Sequence, residues 1–191
     1  MFAIRLEIPF EVCMKERIIN DYEIHRFVYR LFMESPISKN RDFLYRADLR
    51  HEKLILTVHS KRVPAFFDCC GDIEVKEIKD IFLDYHMYSF SLRFAPIKQT
   101  LQGKEIALLK EEDAIFWLKK REAELGIEFL DGTLFRSKKG AIFIKNVPLN
   151  YSDISGVLRV IDKERFITSF KNGIGRHKAF GFGMLQLIPI K

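Results

Sequence analysis

The sequence predicts an α+β fold of two tandem βαββαβ units, and three observations carry that expectation. Stretches with alternating apolar residues are interleaved with stretches whose apolar residues recur every three to four positions. The order strand, helix, strand, strand, short element, strand occurs twice, the second time with one extra strand. A proline- and glycine-bounded segment, PIKQTLQG at 96–103, stands between the two runs. This order is that of the ferredoxin-like, or RRM-like, unit. The expected division is a first domain over 1–95, a linker over 96–103 and a second domain over 104–191.

Residues 2–8, FAIRLEI, alternate strictly, with Phe2, Ile4, Leu6 and Ile8 on one face. That is a half-buried strand. Over 20–33 the period changes. Ile24, Phe27, Val28, Leu31 and Phe32 form one apolar helix face. Asn20 or Asp21 can cap this helix, with Glu23 as a capping-box partner, and Ser35-Pro36 ends it. Residues 42–48 and 53–59 read as a strand pair. Residues 60–86 read weakly, as a short helix over 76–84 or a short strand over 73–78. Residues 87–95 alternate again through Tyr88, Phe90, Leu92 and Phe94.

Beyond the linker, a strand over 104–108 leads to a helix over 111–125. Its first turn carries Glu111, Glu112 and Asp113, as the helix dipole favours, and Gly126 caps it. Strands are expected near 127–135, 140–146 and 154–161. A helix over 162–171 then runs into a glycine-rich loop and a final strand over 182–189.

Charge is distributed unevenly. The net charge is +6, yet residues 134–191 hold eleven Lys and Arg against three Asp and Glu, a net +8. An excess confined to the last third points to an anionic partner, nucleic acid before a membrane surface. The first residues alternate polar and apolar, unlike a signal peptide or a membrane span. Three cysteines without a CxxC spacing point to reduced thiols in a cytosolic protein. No HxxxH, HxH, Walker A or GxSxG pattern occurs, so no metal or cofactor site is expected.

Three regions carry chemistry. His25 stands in the first turn of the first helix, beside its apolar face, with Tyr22 three residues before it and Tyr29 four after. Arg26 and Arg30 form an i, i+4 pair facing outward. One imidazole, a phenol and two guanidiniums suit phosphodiester chemistry, as base or acid, proton donor and phosphate holders. A half-buried histidine packed at a helix edge is the alternative. Residues 134–146, LFRSKKGAIFIKN, read as a β-hairpin turning at Lys139-Gly140, with Arg136, Lys138, Lys139 and Lys145 on it. Such a basic ribbon can lie in a nucleic-acid groove, or can be a charged edge that resists aggregation. The stretch KNGIGRHKAFGFGM at 171–184 sets Gly173, Gly175, Gly181 and Gly183 among Lys171, Arg176, His177 and Lys178. It can cradle phosphates, or it can be a helix cap and a tight turn.

The opening strand FAIRLEI, the helix DYEIHRFVYRLF with FLYRAD after it, and YSFSLRFAP followed by GKEIAL occur in this order. They continue into EEDAIFWLKKREAELGIEF, SGVLRVIDKERF and GIGRHKAFGFGML. Taken together, nearly the whole chain resembles the CRISPR-associated endoribonucleases of the CasE type, from subtype I-E, within the RAMP superfamily. The resemblance implies two ferredoxin-like domains and a metal-independent, cofactor-free ribonuclease. Such an enzyme cuts the repeat stem-loop of CRISPR precursor RNA and leaves a 2′,3′-cyclic phosphate and a 5′-hydroxyl. It implies the mature guide RNA and other Cascade subunits as partners, a cytoplasmic location and no membrane. His25 and Tyr22 match the family's catalytic pair, and Arg136 to Lys145 its RNA-binding hairpin. Arg26 and Arg30 are then expected near the scissile phosphate, Arg136, Lys138 and Lys139 on the stem, and Lys171, Arg176, His177 and Lys178 against the RNA backbone. The alternative is a RAMP-fold subunit that holds guide RNA without cutting it.

Overall fold

The computed structural model describes residues 1–33, 41–65 and 71–191. The chain divides into two compact units. The first comprises Met1–Lys79 with the short segments Phe143–Val147 and Ala179–Gly181; the second holds Asp80–Ile142, Pro148–Lys178 and Phe182–Lys191.

The first unit begins with β1 (Phe2–Pro9), a short helix α1 (Phe10–Lys15) and α2 (Asp21–Leu31), then β2 (Phe43–Arg50), β3 (Lys53–Ser60) and β4 (Asp72–Glu77). Its antiparallel sheet has the order β2-β3-β1-β4. Strict alternation in β1 buries Ile4, Leu6 and Ile8 against Leu54, Leu56 and Val58 of β3 and against Phe27, Val28 and Leu31 of α2. Each such side chain contributes on the order of 1.5–3 kcal/mol by leaving water. Asn20 is the N-cap of α2, its Oδ1 accepting from the Glu23 N–H at 2.9 Å. The Glu23 carboxylate turns instead to Arg26, so only half of the expected capping box forms. The Ser35-Pro36 stop and the Cys69–Cys70 pair lie outside the described residues.

The second unit holds β5 (Met87–Phe94), β6 (Ile97–Gln99), β7 (Glu105–Ala107), α3 (Glu111–Lys119), α4 (Glu122–Leu125), β8 (Ile127–Phe129), β9 (Phe135–Ile144), β10 (Val147–Val160), α5 (Lys163–Asn172) and β11 (Leu185–Ile190). The tip of the β9–β10 ribbon is the Phe143–Val147 segment grouped with the first unit. The main sheet runs β11-β5-β10-β8, with β9 pairing β10. In chain order within each unit, both sheets place the fourth strand beside the first, then the third, then the second. That is the expected ferredoxin-like order, found twice. Tyr88, Phe90, Leu92 and Phe94 are buried, and their rings meet Phe166, Phe129 and Trp117. Arg93 and Asp153 form a buried bidentate ion pair, both contacts 2.8 Å.

The observed division differs from the expected one. The strand over 87–94 is not the last strand of the first domain; it is the first strand of the second, pairing with β10 and β11. The fourth strand of the first sheet is β4, an edge strand exposed along most of its length, so it carries little apolar alternation. The expected linker is a small ribbon, β6 with β7, turning through Thr100–Gly103. The helix expected over 111–125 is two, α3 and α4. The β9–β10 hairpin turns at Lys145-Asn146, both at positive φ (48° and 67°), and not at Lys139-Gly140. Gly140 serves close approach instead: a Cβ there would sit 2.7 Å from the Tyr151 ring. Among the described residues no helix is long and apolar enough to cross a membrane.

Candidate active site

Helix α2 presents His25 on its buried side, the residue only 4% exposed. The sequence reading put His25 at the edge of the apolar face. It is buried because Ala179–Gly181, 154 residues on, packs onto it. Its Nδ1 lies 2.7 Å from the Ala179 carbonyl oxygen. A carbonyl only accepts, so the neutral ring carries its proton on Nδ1 and its lone pair on Nε2. The ring centroid is 4.6 Å from Tyr29 and 4.8 Å from Phe180, which hold its plane from two sides. Tyr22, one turn earlier, is 6.0 Å away and stacked at 29°.

Burial holds the His25 pKa below the ordinary imidazole value. The Ala179 carbonyl pulls the other way, and the charge of Arg41 adds to the lowering. The side chain is therefore neutral near pH 7, as a general base requires. Arg41 was not among the residues singled out from sequence. Its Nε is buried and makes no hydrogen bond to the described residues.

Two further side chains reach the start of α2. The Phe143 N–H donates to Asp21 Oδ2 at 3.0 Å, and Lys145 Nζ stands 5.4 Å from the Tyr22 ring centre. Lys145 thus joins the Tyr22–His25 pair, whereas the sequence placed it only on the hairpin. The signal that finds it is the turn itself: Lys145-Asn146 tolerates the left-handed conformation a two-residue hairpin loop needs, although lysine is uncommon there.

The remaining expected residues divide between the two units. Arg26 and Arg30 are exposed on α2 and pair with Glu23 and Glu16, each at 3.4 Å. Arg136 is half-buried and tied to α3, its Nη1 donating to the Leu109 carbonyl at 3.0 Å and its N–H to Glu111 at 2.9 Å. Lys138 and Lys139 are exposed along β9, and Lys171 is exposed in the last turn of α5. Arg176 bonds Glu105 and Gln99, and His177 Nε2 is 3.5 Å from Glu105. Lys178 Nζ donates to the Asn172 and Gly173 carbonyls at 3.0 and 3.1 Å, closing the C-terminus of α5. A cavity of about 570 Å³ in the second unit is lined by Gln99, Trp117, Arg121, Asn172, Arg176 and Lys178, among others. Arg121 lies over the Trp117 ring at 3.5 Å. Among the described residues no three His, Cys, Asp or Glu side chains stand together as metal ligands.

A family model described as CRISPR associated protein matches residues 1–189. The chain belongs to the CRISPR-associated protein family. Within it, the chain is 30% identical over 115 residues to the CRISPR-associated endoribonuclease Cse3 of Thermus thermophilus. That alignment covers 52% of this chain and 54% of Cse3, so it spans about half of that relative. It is 25% identical over 185 residues to the CRISPR system Cascade subunit CasE of Escherichia coli K12, covering 88% of this chain and 92% of CasE. The structure of Thermus thermophilus Cse3 bound to an RNA representing a pre-cleavage complex superposes with a TM-score of 0.85. It covers 98% of both chains at 20% identity, a likeness of fold.

Proposed function

We propose that this chain is an endoribonuclease that cleaves the repeat stem-loop of CRISPR precursor RNA. It works in the cytoplasm, without a metal ion or cofactor, and stays on its product as a Cascade subunit with the mature guide RNA. The observation that carries the reading is the state of His25: a neutral imidazole, fixed through Nδ1, with Tyr22 and Lys145 beside it. The family membership and the names of the two relatives support the same class of substrate.

In this mechanism His25 Nε2 takes the proton of the 2′-hydroxyl. The 2′-oxygen attacks the adjacent phosphorus and the 5′-oxygen leaves. The products are a 2′,3′-cyclic phosphate and a 5′-hydroxyl. The leaving oxygen takes its proton from the imidazolium so formed, or from Tyr22. Lys145 and Arg41 offset the charge that grows on the phosphoryl oxygens. Arg26 and Arg30 position phosphate, and Arg136, Lys138 and Lys139 grip the stem. Lys171, Arg176, His177 and Lys178 receive the backbone. Those already paired with carboxylates exchange that partner for phosphate.

Single-turnover cleavage of a CRISPR repeat hairpin in EDTA tests the reading. Wild type cuts and leaves a cyclic-phosphate end, and His25→Ala does not. Equal rates for the two proteins remove His25 from the mechanism. The low exposure of His25 favours a second reading, a RAMP-fold subunit that binds guide RNA without cutting it. That reading predicts salt-sensitive binding with no product in the same assay.

A further inference from the structure

We infer that the glycine-rich loop is the orienting element of His25: the Ala179 carbonyl selects the Nδ1–H tautomer, and Gly181 makes that contact possible. The inference rests on His25 as the general base. It gives the loop a positioning role beside any contact with RNA.

Three observations carry it. The carbonyl–Nδ1 distance is 2.7 Å, and a carbonyl oxygen can only accept, so it excludes the Nε2–H tautomer of the neutral ring. Phe180, the next residue, supplies one wall of the ring site at 4.8 Å. One short segment therefore sets both the tautomer and the ring plane. Gly181 then turns the chain away at φ +87°, in the left-handed region. A Cβ at this position would lie 3.0 Å from Tyr45 Cε2, and Tyr45 is buried in the core of the first unit. An alanine is thus strained by its φ and crowded by a ring with little room to move, and the relief available is a shift of residues 179–181 off His25.

The chemistry differs from that of a histidine oriented by a carboxylate. A carboxylate partner stabilises the imidazolium; a carbonyl supplies direction and a weaker pull. His25 is accordingly oriented while its burial still favours the neutral, proton-accepting ring.

The experiment is long-range proton–nitrogen NMR of the imidazole rings in nitrogen-15-labelled protein, well above the His25 titration. Single-turnover cleavage at saturating repeat RNA and RNA affinity are measured on the same samples. Wild type is expected to show His25 as Nδ1–H. Gly181→Ala is expected to gain Nε2–H and to cleave at least about tenfold slower, with affinity within about threefold of wild type. A wild-type Nε2–H ring overturns the inference. So does a Gly181→Ala protein that slows without changing tautomer, or that keeps both tautomer and rate. Should Gly181→Ala not fold, Phe180→Leu keeps the carbonyl and removes the ring wall: retained Nδ1–H supports the inference and Nε2–H overturns it. Because the spectra need no RNA, a wild type that shows Nδ1–H and fails to cut RNA sinks the proposed function and leaves the orienting contact standing.

Discussion

Helices α2 and α3 hold the same place in their units, each following the first strand of a sheet with the same order. Only one of them carries the proposed chemistry. Helix α2 buries an imidazole beneath a backbone carbonyl and stands next to a cation from a hairpin turn. At the comparable depth α3 buries Trp117, its Nε1–H donating to the Ile97 carbonyl and its ring covered by Arg121 and Phe94. Topology supplies a half-buried helix in both units. What separates them is which distant segments fold onto that helix, and 143–147 and 179–181 fold onto α2.

The sharpest break of this comparison comes from exchanging each helix's central ring for alanine. His25→Ala is expected to slow single-turnover cleavage by about 10²–10⁴-fold, with little change in the melting midpoint. Trp117→Ala is expected to destabilise the protein by about 3–5 kcal/mol in denaturant titration. If His25→Ala instead unfolds the protein and cuts normally when folded, the two helices are equivalent packing elements.

A pH series separates two buried histidines. Burial pushes His59 down to about 4, well below the ordinary 6.5. A group lowered in the folded state stabilises above its unfolded pKa. Stability is therefore expected to hold above pH 6.5 and to fall by up to about 3 kcal/mol as pH drops toward 4. Denaturant midpoints across that window check it, and His59→Gln should flatten the slope. His25 is also lowered, so the acid limb of kcat/KM is expected below the ordinary imidazole value. A limb at or above pH 6.5 assigns the titration to another group.

Smaller effects sharpen the picture of the distant segments. Lys145→Ala is expected to cost about tenfold in rate at saturating RNA, with the hairpin intact by circular dichroism. Lys178→Ala removes the side chain that closes α5, and a loss of about 1 kcal/mol in thermal stability is expected. A large loss of RNA affinity without that destabilisation would return Lys178 to the binding surface alone.

The sequence made the elements of α2 and its sheet legible because each obeys a local rule. Ile4, Leu6 and Ile8 alternate, and Asn20 caps where the helical period begins. What sequence could not show depended on distant partners. Gly140 looked like a turn because glycine permits one, yet it is glycine because Tyr151 lies against it. The strand β4 was legible only as one of two readings, because an exposed edge needs few apolar residues. His25 was legible as a candidate, and its Nδ1 partner was not, because a backbone carbonyl leaves no mark in side-chain identity. Lys145 was legible on the hairpin but not beside Tyr22, and Arg41 was not singled out, because both proximities depend on the tertiary fold.

The Lys145-Asn146 turn ends a ribbon whose length is fixed by pairing, and this makes the ribbon a ruler. Each residue pair advances it by about 3.3 Å and reverses its faces. Removing two residues from each strand would withdraw the tip by roughly 7 Å while keeping every side chain on its side. Removing one from each would turn the tip over. Changes in hairpin length therefore keep the faces of the tip only in even steps, and each such step moves the terminal lysine by one fixed increment along the ribbon axis.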